Sequence, residues 1–197
     1  MGTQVQTRRR QIEDVASALF SSRGYAATSM RDIARALDLQ GGSLYSHIPS
    51  KEAVLAAIVE EAAEEFHAAV GPVAERPGPA AQRLREMIAA HVRVVTGGRE
   101  RAKVFLFEWT FLGEERRAAV TRSRSDYQAY FERVVAEGAA AGELVAPEPK
   151  LAAVFILSAM NAVAHWYRPD GPIGPDTLAA HYAELFLRGL QAHEGAR

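Results

Sequence analysis

Apolar side chains recur along this chain with the spacing of amphipathic α-helices. The first such segment has one apolar face, with positions at i, i+3, i+4 and i+7. Its members are Ile12, Val15, Ala16, Leu19 and Phe20. Gly24 follows the segment and is expected to end the helix in the left-handed conformation. Residues 1–6 precede it and are expected to form a disordered arm.

Residues 28–51 contain the signals of two short helices joined by a tight turn. Ser29 precedes an apolar run and Asp32 follows three residues later, the arrangement of a helix N-cap with its reciprocal partner. The apolar face of this helix consists of Met30, Ile33, Ala34 and Leu37. Residues 38–39 then make the turn, and a second short helix is expected over residues 40–47. This pattern predicts a helix-turn-helix, whose second helix lies in the DNA major groove.

The composition of the second helix favours recognition of DNA over packing. Small or hydrogen-bonding residues occupy its first turn, although glycine costs a helix roughly 0.8–1 kcal/mol relative to alanine. Those residues are Gln40, Gly41, Gly42 and Ser43. Leu44 and Ile48 are expected to anchor the helix on the core, which leaves Tyr45, Ser46 and His47 facing the duplex. The alternative from pattern alone is an ordinary helical hairpin within a core.

Three consecutive arginines, Arg8, Arg9 and Arg10, open the first helix. They are expected to contact phosphates or to enter the adjacent minor groove. The alternative is a solvated basic helix start, which the positive end of the helix dipole disfavours unless an anion lies nearby.

Several groups of residues in the first quarter of the chain are specific in identity and spacing. They are Gly24-Tyr25, Thr28-Ser29-Met30-Arg31-Asp32-Ile33-Ala34, Gly42-Ser43-Leu44-Tyr45-Ser46-His47-Ile48 and Ser50-Lys51-Glu52. Together they closely resemble the DNA-binding domain of TetR-type bacterial repressors. The resemblance implies an all-α fold, with a three-helix DNA-binding head and a helical-bundle domain that binds a ligand and dimerises. The expected domains are residues 1–51 and 52–197, with a connecting helix at about 51–69.

The resemblance also implies roles for residues of the head. Ser29, Tyr45, His47 and Lys51 are expected to position it on phosphates, while residues 40–43 and Ser46 face the bases. The predicted DNA-binding residues are Arg8, Arg9, Arg10, Thr28, Ser29, Gln40, Gly41, Gly42, Ser43, Tyr45, Ser46, His47 and Lys51.

The rest of the chain reads as five more helices with clear breaks. Proline and glycine over residues 71–79 predict a loop. Helices are expected at about 80–96, 99–112, 114–141, 151–167 and 175–192. The segment 99–112 is apolar nearly all round, which is typical of a buried helix. The last two helices carry more apolar surface than one small domain covers, which predicts a two-fold interface between two copies. The alternative is that they only close the core of a monomer.

Composition and charge agree with a regulator that touches DNA at one end. Residues 1–51 carry a net charge of +3 (7 basic, 4 acidic), and the remainder carries −4 (16 basic, 20 acidic), which suits phosphate contact by the head alone. The absence of cysteine fits the cytoplasm. No catalytic motif, metal site or cofactor site is expected. A small helical enzyme is the competing class, and a membrane-surface protein is a weaker one.

A fainter resemblance concerns the effector. Residues 39–45 and the pattern Asn161…Trp166-Tyr167-Arg168-Pro169-Asp170-Gly171…Tyr182…Gly189-Leu190 look like TetR-type repressors that respond to acyl-CoA thioesters. This implies an aromatic cavity for the acyl group, with arginines near its mouth. The predicted ligand-binding residues are Phe105, Glu108, Trp109, Phe111, Arg117, Arg124, Tyr127, Tyr130, Phe131, Met160, Asn161, His165 and Trp166. A free acid or a drug-like aromatic compound is the alternative effector, and the aromatics as plain core are the alternative to any site.

Overall fold

The computed structural model describes residues 2–39 and 44–190. Within these ranges every regular element is helical, so the expected all-α fold is confirmed. The α-helices are α1 (Gly2–Arg23), α2 (Met30–Ala36), α3 (Lys51–Glu75), α4 (Ala80–Gly97), α5 (Arg99–Phe107), α6 (Glu114–Ala140), α7 (Pro149–Trp166) and α8 (Pro175–Leu190). A single-turn 3₁₀-helix, Trp109–Phe111, follows α5. None of the described helices is long and apolar enough to cross a membrane.

Internal contacts divide the chain into two compact units. The first unit contains Met1–Glu64 and Gly98–Arg122, and the second unit contains Glu65–Gly97 and Ser123–Arg197. Helices α3 and α6 therefore contribute residues to both units. The sequence pattern gave no indication that residues 98–122 would pack with the helix-turn-helix.

The first unit has a small core beneath the helix-turn-helix. Helix α1 packs against α2 and α5, and its predicted apolar stripe is turned inward. The fully buried side chains of this core are Ile12, Ala16, Phe20, Ile33, Leu44, Val54, Leu55, Ile58 and Val59. The prediction of a disordered arm is wrong, since α1 begins at Gly2. No proline interrupts the residues before Arg8, and each residue added to a helix gains a hydrogen bond at little cost.

Helix α3 continues beyond the predicted connecting helix. The expected loop at residues 71–79 is wrong in its first half, because α3 runs through Pro72 and ends at Glu75. Phe66, Val70 and Ala74 lie at successive i+4 positions and are all buried. Burial of this stripe outweighs the loss of one helical hydrogen bond at Pro72, which carries no amide hydrogen.

The segment after Gly98 is shorter and more exposed than its composition predicts. The α-helical part ends at Phe107, and the chain tightens into the 3₁₀ turn instead of reaching residue 112. Phe107 is 37% exposed and Phe111 is 50% exposed. The expectation of a helix buried on all sides is therefore wrong for its second half. Ala102, Val104 and Phe105 in the first half are buried as expected.

In the second unit, α4 packs against α7 and α8. The largest fully buried side chains of this core are Phe66, Leu84, Met87, Ile88, Phe131 and Ile156. Two ion pairs join the exposed edges of α4 and α8, Arg93–Asp176 at 2.9 Å and Arg85–Glu184 at 3.8 Å. The opposite faces of α7 and α8 leave large apolar side chains in solvent, among them Leu151 (65% exposed), Phe155 (66%) and Leu185 (71%).

Candidate functional site

Helix α2 begins with the predicted capping box. The Ser29 backbone N–H donates to the Asp32 carboxylate at 2.9 Å, and the Asp32 N–H donates to the Ser29 hydroxyl oxygen at 3.2 Å. The Ser29 hydroxyl also donates to the same carboxylate. These hydrogen bonds from Ser29 hold the pKa of Asp32 below its ordinary value. The Ser29 hydroxyl proton is thus used within the cap, and the hydroxyl of the buried Thr28 donates to the Gly24 carbonyl at 2.9 Å.

The turn after α2 leads into the recognition segment, defined as residues 40–48. Asp38 holds a φ of 53°, the left-handed conformation that a tight turn requires. The predicted base-facing residues Gln40, Gly41, Gly42 and Ser43 lie outside the described residues. Residues 44–48 form a helical turn, with the His47 and Ile48 N–H groups both donating to the Leu44 carbonyl at 3.1 Å.

The side chains of this turn divide as the sequence predicts. Leu44 and Ile48 are buried, at 0% and 3% exposure, and anchor the segment on the first unit's core. Tyr45 is 55% exposed, Ser46 is exposed and His47 is half-buried. A helical turn anchored on two apolar residues and presenting polar ones outward is the geometry by which a recognition helix meets a groove.

Lys51 occupies an internal position instead of a purely external one. Its Nζ donates to the Tyr25 carbonyl at 2.9 Å and to the Thr28 carbonyl at 2.7 Å, and lies 4.1 Å from the centre of the Tyr25 ring. Two of its three ammonium protons therefore hold the loop between α1 and α2. At most one proton remains for a phosphate.

The three arginines at the start of α1 each have a partner within the first unit. Arg8 donates to the Gln11 side chain at 2.9 Å, and Arg9 pairs with Glu13 at 2.8 Å. Arg10 pairs with Glu61 at 2.5 Å. Arg9 and Arg10 remain more than half exposed. Pairs this exposed contribute roughly 0–1 kcal/mol, so the arginines can exchange these partners for phosphates.

Residues 101–113 attach to α1, to the loop after it and to α3 through polar contacts, which we call the polar seam. Lys103 Nζ donates to the Ser21 carbonyl at 2.6 Å. Arg101 donates to Asp14 at 2.9 Å and to Glu61 at 3.1 Å. This seam was not anticipated from the sequence. Lys103 and Ser21 lie 82 residues apart along the chain, and Arg101 and Asp14 lie 87 residues apart.

Tyr25 is the residue on which the polar seam converges. Its backbone N–H donates to Glu108 Oε2 at 3.0 Å, and its ring stacks on Phe111 with the ring centres 5.2 Å apart. Burial, with a smaller contribution from the carboxylate of Glu52, raises the pKa of the Tyr25 phenol. Glu52 itself accepts hydrogen bonds from the Gly113 N–H at 3.1 Å and from Arg116 at 3.3 Å. Glu108 and Phe111, predicted to face a ligand, thus contact the loop that precedes α2.

The second unit contains an aromatic cluster, defined as Phe66, His91, Tyr127 and Phe131. The Phe66 and His91 ring centres lie 5.0 Å apart, and the Tyr127 ring is 5.7 Å from both phenylalanine rings. His91 Nδ1 and the Tyr127 hydroxyl share a hydrogen bond of 2.9 Å. All four residues are at most 9% exposed.

Burial dominates the acid–base chemistry of this cluster. It lowers the pKa of His91 to about 3, and a hydrogen bond with the side chain of Asn161 partly opposes that shift. It also raises the pKa of the Tyr127 phenol well above its ordinary value. Both groups are therefore uncharged near neutral pH.

The remaining predicted ligand residues have different settings. Met160 is fully buried, whereas Tyr130 and Asn161 are half-buried. His165 is exposed and Trp166 is 47% exposed. Arg124 is half-buried, and burial lowers its pKa.

Five predicted ligand residues belong to the first unit. They are Phe105, Glu108, Trp109, Phe111 and Arg117. Of these, Arg117 is exposed. The prediction missed Phe66 and His91, although the apolar stripe of α4 gave a signal. His91 lies at i+3 from Ile88 and i+4 from Met87, on the face of α4 that is buried.

Two family models match this chain, one in its N-terminal part and one in its C-terminal part. Residues 12–58 match the family model described as bacterial regulatory proteins, tetR family. Residues 77–190 match the model described as the tetracyclin repressor-like C-terminal domain.

Individual relatives cover almost the whole chain. The HTH-type transcriptional repressor KstR2 of Rhodococcus jostii is 25% identical over 185 residues, which cover 93% of this chain and 91% of that protein. The structure of the TetR family regulator PfmR from Thermus thermophilus has a TM-score of 0.83 and 31% identity, covering 92% of this chain and 99% of that one. The structure of AibR in complex with isovaleryl coenzyme A and operator DNA has a TM-score of 0.82 and 27% identity, covering 90% and 97%.

Proposed function

Because the chain belongs to the TetR family of bacterial transcriptional regulators, whose members are not enzymes, we propose that it is an effector-responsive repressor. In this proposal a homodimer binds a palindromic operator in the cytoplasm, and a hydrophobic small molecule releases it. The recognition segment carries the proposal, since its exposed Tyr45 and Ser46 stand on the buried anchors Leu44 and Ile48.

Operator binding is proposed to use the exposed polar side chains of the first unit. Tyr45, His47 and the remaining Lys51 proton contact phosphates, while Gln40 and its neighbours face the bases. The association constant for duplex DNA, measured by gel shift, should fall steeply with salt. Its logarithm should decrease by about 0.9 per log unit of salt concentration for each phosphate neutralised. Tyr45→Phe should weaken binding to all sequences alike, whereas Gln40→Ala should change the preferred base. A salt slope near zero would refute the proposal.

Dimerisation is proposed to use the exposed apolar faces of α7 and α8. Leu151, Phe155 and Leu185 are each at least 65% exposed, and apolar groups of this size gain from burial against a second copy. Phe155→Glu should give a monomer in size-exclusion chromatography with light scattering. Val145→Glu is the matched control, because Val145 is 49% exposed but lies between α6 and α7. A dimeric Phe155→Glu variant would contradict this assignment.

The effector is proposed to bind among second-unit residues, with an acyl-CoA thioester as the first choice. Three observations support this: the aromatic cluster, the half-buried Arg124, and the similarity to AibR, which was solved with isovaleryl coenzyme A. A free acid or a drug-like aromatic compound is the second choice. The proposal leaves out Glu108 and Phe111, which contact Tyr25, and the exposed Arg117.

A thermal-shift screen of CoA thioesters and free acids tests the effector. A thioester that binds should raise the melting temperature and release DNA, and operator DNA should weaken thioester binding by the same factor. Arg124→Gln should weaken a CoA thioester and leave a neutral aromatic compound almost unaffected, while Trp166→Ala should weaken both. Arg117→Gln is the matched control and should change neither. A screen in which no thioester binds would exclude the acyl-CoA proposal and leave the second choice.

A further inference from the structure

The 3₁₀ turn after α5 presents two side chains to the loop between α1 and α2. Within this turn the Phe111 N–H donates to the Glu108 carbonyl at 3.1 Å. Because a 3₁₀-helix has three residues per turn, side chains at i and i+3 project in the same direction. Glu108 and Phe111 therefore contact one residue together. The Glu108 carboxylate accepts the Tyr25 N–H at 3.0 Å, and the Phe111 ring stacks on the Tyr25 ring.

Tyr25 in turn holds the ammonium group of Lys51. The Tyr25 carbonyl accepts a hydrogen bond from Lys51 Nζ at 2.9 Å, and the Tyr25 ring centre lies 4.1 Å from that nitrogen. The Thr28 carbonyl accepts a second proton at 2.7 Å. An ammonium group with one partner can rotate about its Cε–Nζ bond, whereas two fixed partners leave a single direction for its third N–H. The position of Tyr25 therefore decides where the remaining proton of Lys51 points.

The backbone next to Tyr25 needs a restraint of this kind. The loop runs from Gly24 to Ser29, between the end of α1 and the start of α2, and Gly24 holds a φ of 85°. A residue without a Cβ atom leaves its backbone torsions unusually free. A hydrogen bond from the Tyr25 N–H to a carboxylate restricts that freedom, and bonds to an ionised acceptor are among the stronger ones in proteins. Glu108 thereby orients the same residue whose carbonyl receives Lys51.

We propose that Glu108 is a positioning residue for operator binding, which acts through Tyr25 on the direction of the third Lys51 proton. Lys51 is half-buried and comes directly after the exposed Pro49 and Ser50, which follow the recognition segment. Its third proton can therefore reach a phosphate. This inference rests on the proposed function, in which the first unit binds DNA. It gives the Glu108 carboxylate a role that its charge alone opposes, because a negative group weakens the attraction to phosphates.

That opposition gives the test two distinct outcomes. Glu108→Ala should bind mixed-sequence duplex DNA about tenfold more weakly than the parent, the value of one charge-assisted hydrogen bond, whereas loss of a negative charge alone would tighten binding. Glu108→Gln, whose amide oxygen still accepts the Tyr25 N–H, should bind at least as tightly as the parent. Glu115→Ala is the matched control, because Glu115 is an exposed glutamate of the same unit. Equal binding by Glu108→Ala and Glu115→Ala would overturn the inference.

A double-mutant cycle shows whether Glu108 acts through Lys51. Lys51→Met should reduce the magnitude of the salt slope of DNA binding by about 0.9, the contribution of one phosphate, and Glu108→Ala should do the same. In the Lys51→Met background, Glu108→Ala should cause no further loss of affinity. A variant that only loosened the fold would keep the parent's salt slope, and its effect would add to that of Lys51→Met. Additive losses would therefore contradict the positioning role.

A measurement without DNA separates this inference from the proposed function. Exchange of the Tyr25 amide proton and the Lys51 ammonium protons with water, followed by NMR, should be faster in Glu108→Ala than in the parent and unchanged in Glu115→Ala. If the parent binds no duplex DNA but Lys51 exchange responds to Glu108, the proposed function fails and the positioning of Lys51 stands. If Lys51 exchange does not respond, the positioning role fails even when the parent binds DNA.

Discussion

The polar seam of the first unit and the aromatic cluster of the second unit are held together by different kinds of interaction. The seam consists of separate hydrogen bonds and ion pairs, such as Lys103 to the Ser21 carbonyl and Arg101 to Asp14, and most of its members reach solvent. The cluster consists of rings whose neighbouring centres lie 5.0–6.5 Å apart, around the hydrogen bond between His91 and Tyr127.

The difference indicates a division of labour. Polar contacts that are only partly buried can exchange partners with water at less cost than fully buried ones, which suits a unit that is proposed to bind and release DNA. A packed aromatic core cannot exchange partners in this way. Its stability changes instead when the volume of its side chains changes. The seam is therefore expected to tolerate single changes that the cluster does not.

The largest expected effect is the loss of a ring from the cluster. Phe131 is fully buried, and Phe131→Ala should lower the free energy of unfolding by about 3–5 kcal/mol through lost burial and a residual cavity. Urea denaturation followed by circular dichroism measures it. Phe131→Leu is the control and should cost clearly less. A loss smaller than that of the Lys51→Met variant of the first unit would contradict the comparison.

Acid should act on the cluster through His91. Its pKa of about 3 in the folded protein lies below its ordinary value of 6.5. Between these two pH values, His91 is protonated in the unfolded chain but neutral in the folded protein. Stability is then fully present above pH 6.5 and declines as the pH falls towards 3. The slope approaches about 1.4 kcal/mol per pH unit, or roughly 2 kcal/mol by pH 5.

A double variant isolates the contribution of His91. His91→Phe combined with Tyr127→Phe removes both partners of the hydrogen bond, so neither is left unsatisfied. Urea midpoints at pH 7 and pH 5 should differ less in the double variant than in the parent. Equal losses in the two proteins would show that His91 is not buried as a neutral ring.

In the first unit, the loop around Tyr25, on which the polar seam converges, is held by the Lys51 ammonium group. Lys51→Met should lower the free energy of unfolding by roughly 1.5 kcal/mol, because two carbonyls lose a charged donor while water reaches part of the site. Lys51→Arg should recover part of this loss. Thermal unfolding gives the stability, and the gel shift gives the effect on DNA binding. A Lys51→Met variant as stable as the parent would assign the lysine to phosphate contact alone.

The smallest effect is expected from the loss of an exposed ion pair on the surface of the second unit. Arg93 and Asp176 pair at 2.9 Å with side chains that are 62% and 81% exposed. Arg93→Ala should change the melting temperature by less than the equivalent of about 0.5 kcal/mol. The double variant with Asp176→Ala should show no coupling. A larger coupling energy would mean that surface ion pairs stabilise this protein more than exposure allows.

Sequence patterns predicted the local features and missed those that depend on distant residues. The Ser29 cap and the burial of Leu44 and Ile48 follow from spacing within one or two helical turns, and all are confirmed. The continuation of α3 through Pro72 was missed, because the stripe that overrides the proline is stabilised by tertiary packing. The Glu108–Tyr25 contact joins residues 83 positions apart, which no local period encodes.

The candidate site divides in the same way. The exposure of Tyr45 could be predicted from its place between two anchors, whereas the internal use of Lys51 could not. His91 lay on an apolar helix face where a histidine needs a partner, yet the sequence does not say that the side chains of Tyr127 and Asn161 provide the partners.

The two tryptophans lie in different units, so intrinsic fluorescence can monitor each unit separately. Trp109 lies in the 3₁₀ turn of the first unit and Trp166 at the end of α7 in the second, and the sequence contains no other tryptophan. Trp109→Phe and Trp166→Phe therefore each leave a single emitter in one unit. Emission from Trp109 reports on the unit that is proposed to bind DNA, and emission from Trp166 reports on the unit where the effector is proposed to bind. Signals from both events can then be read separately, in the unlabelled protein.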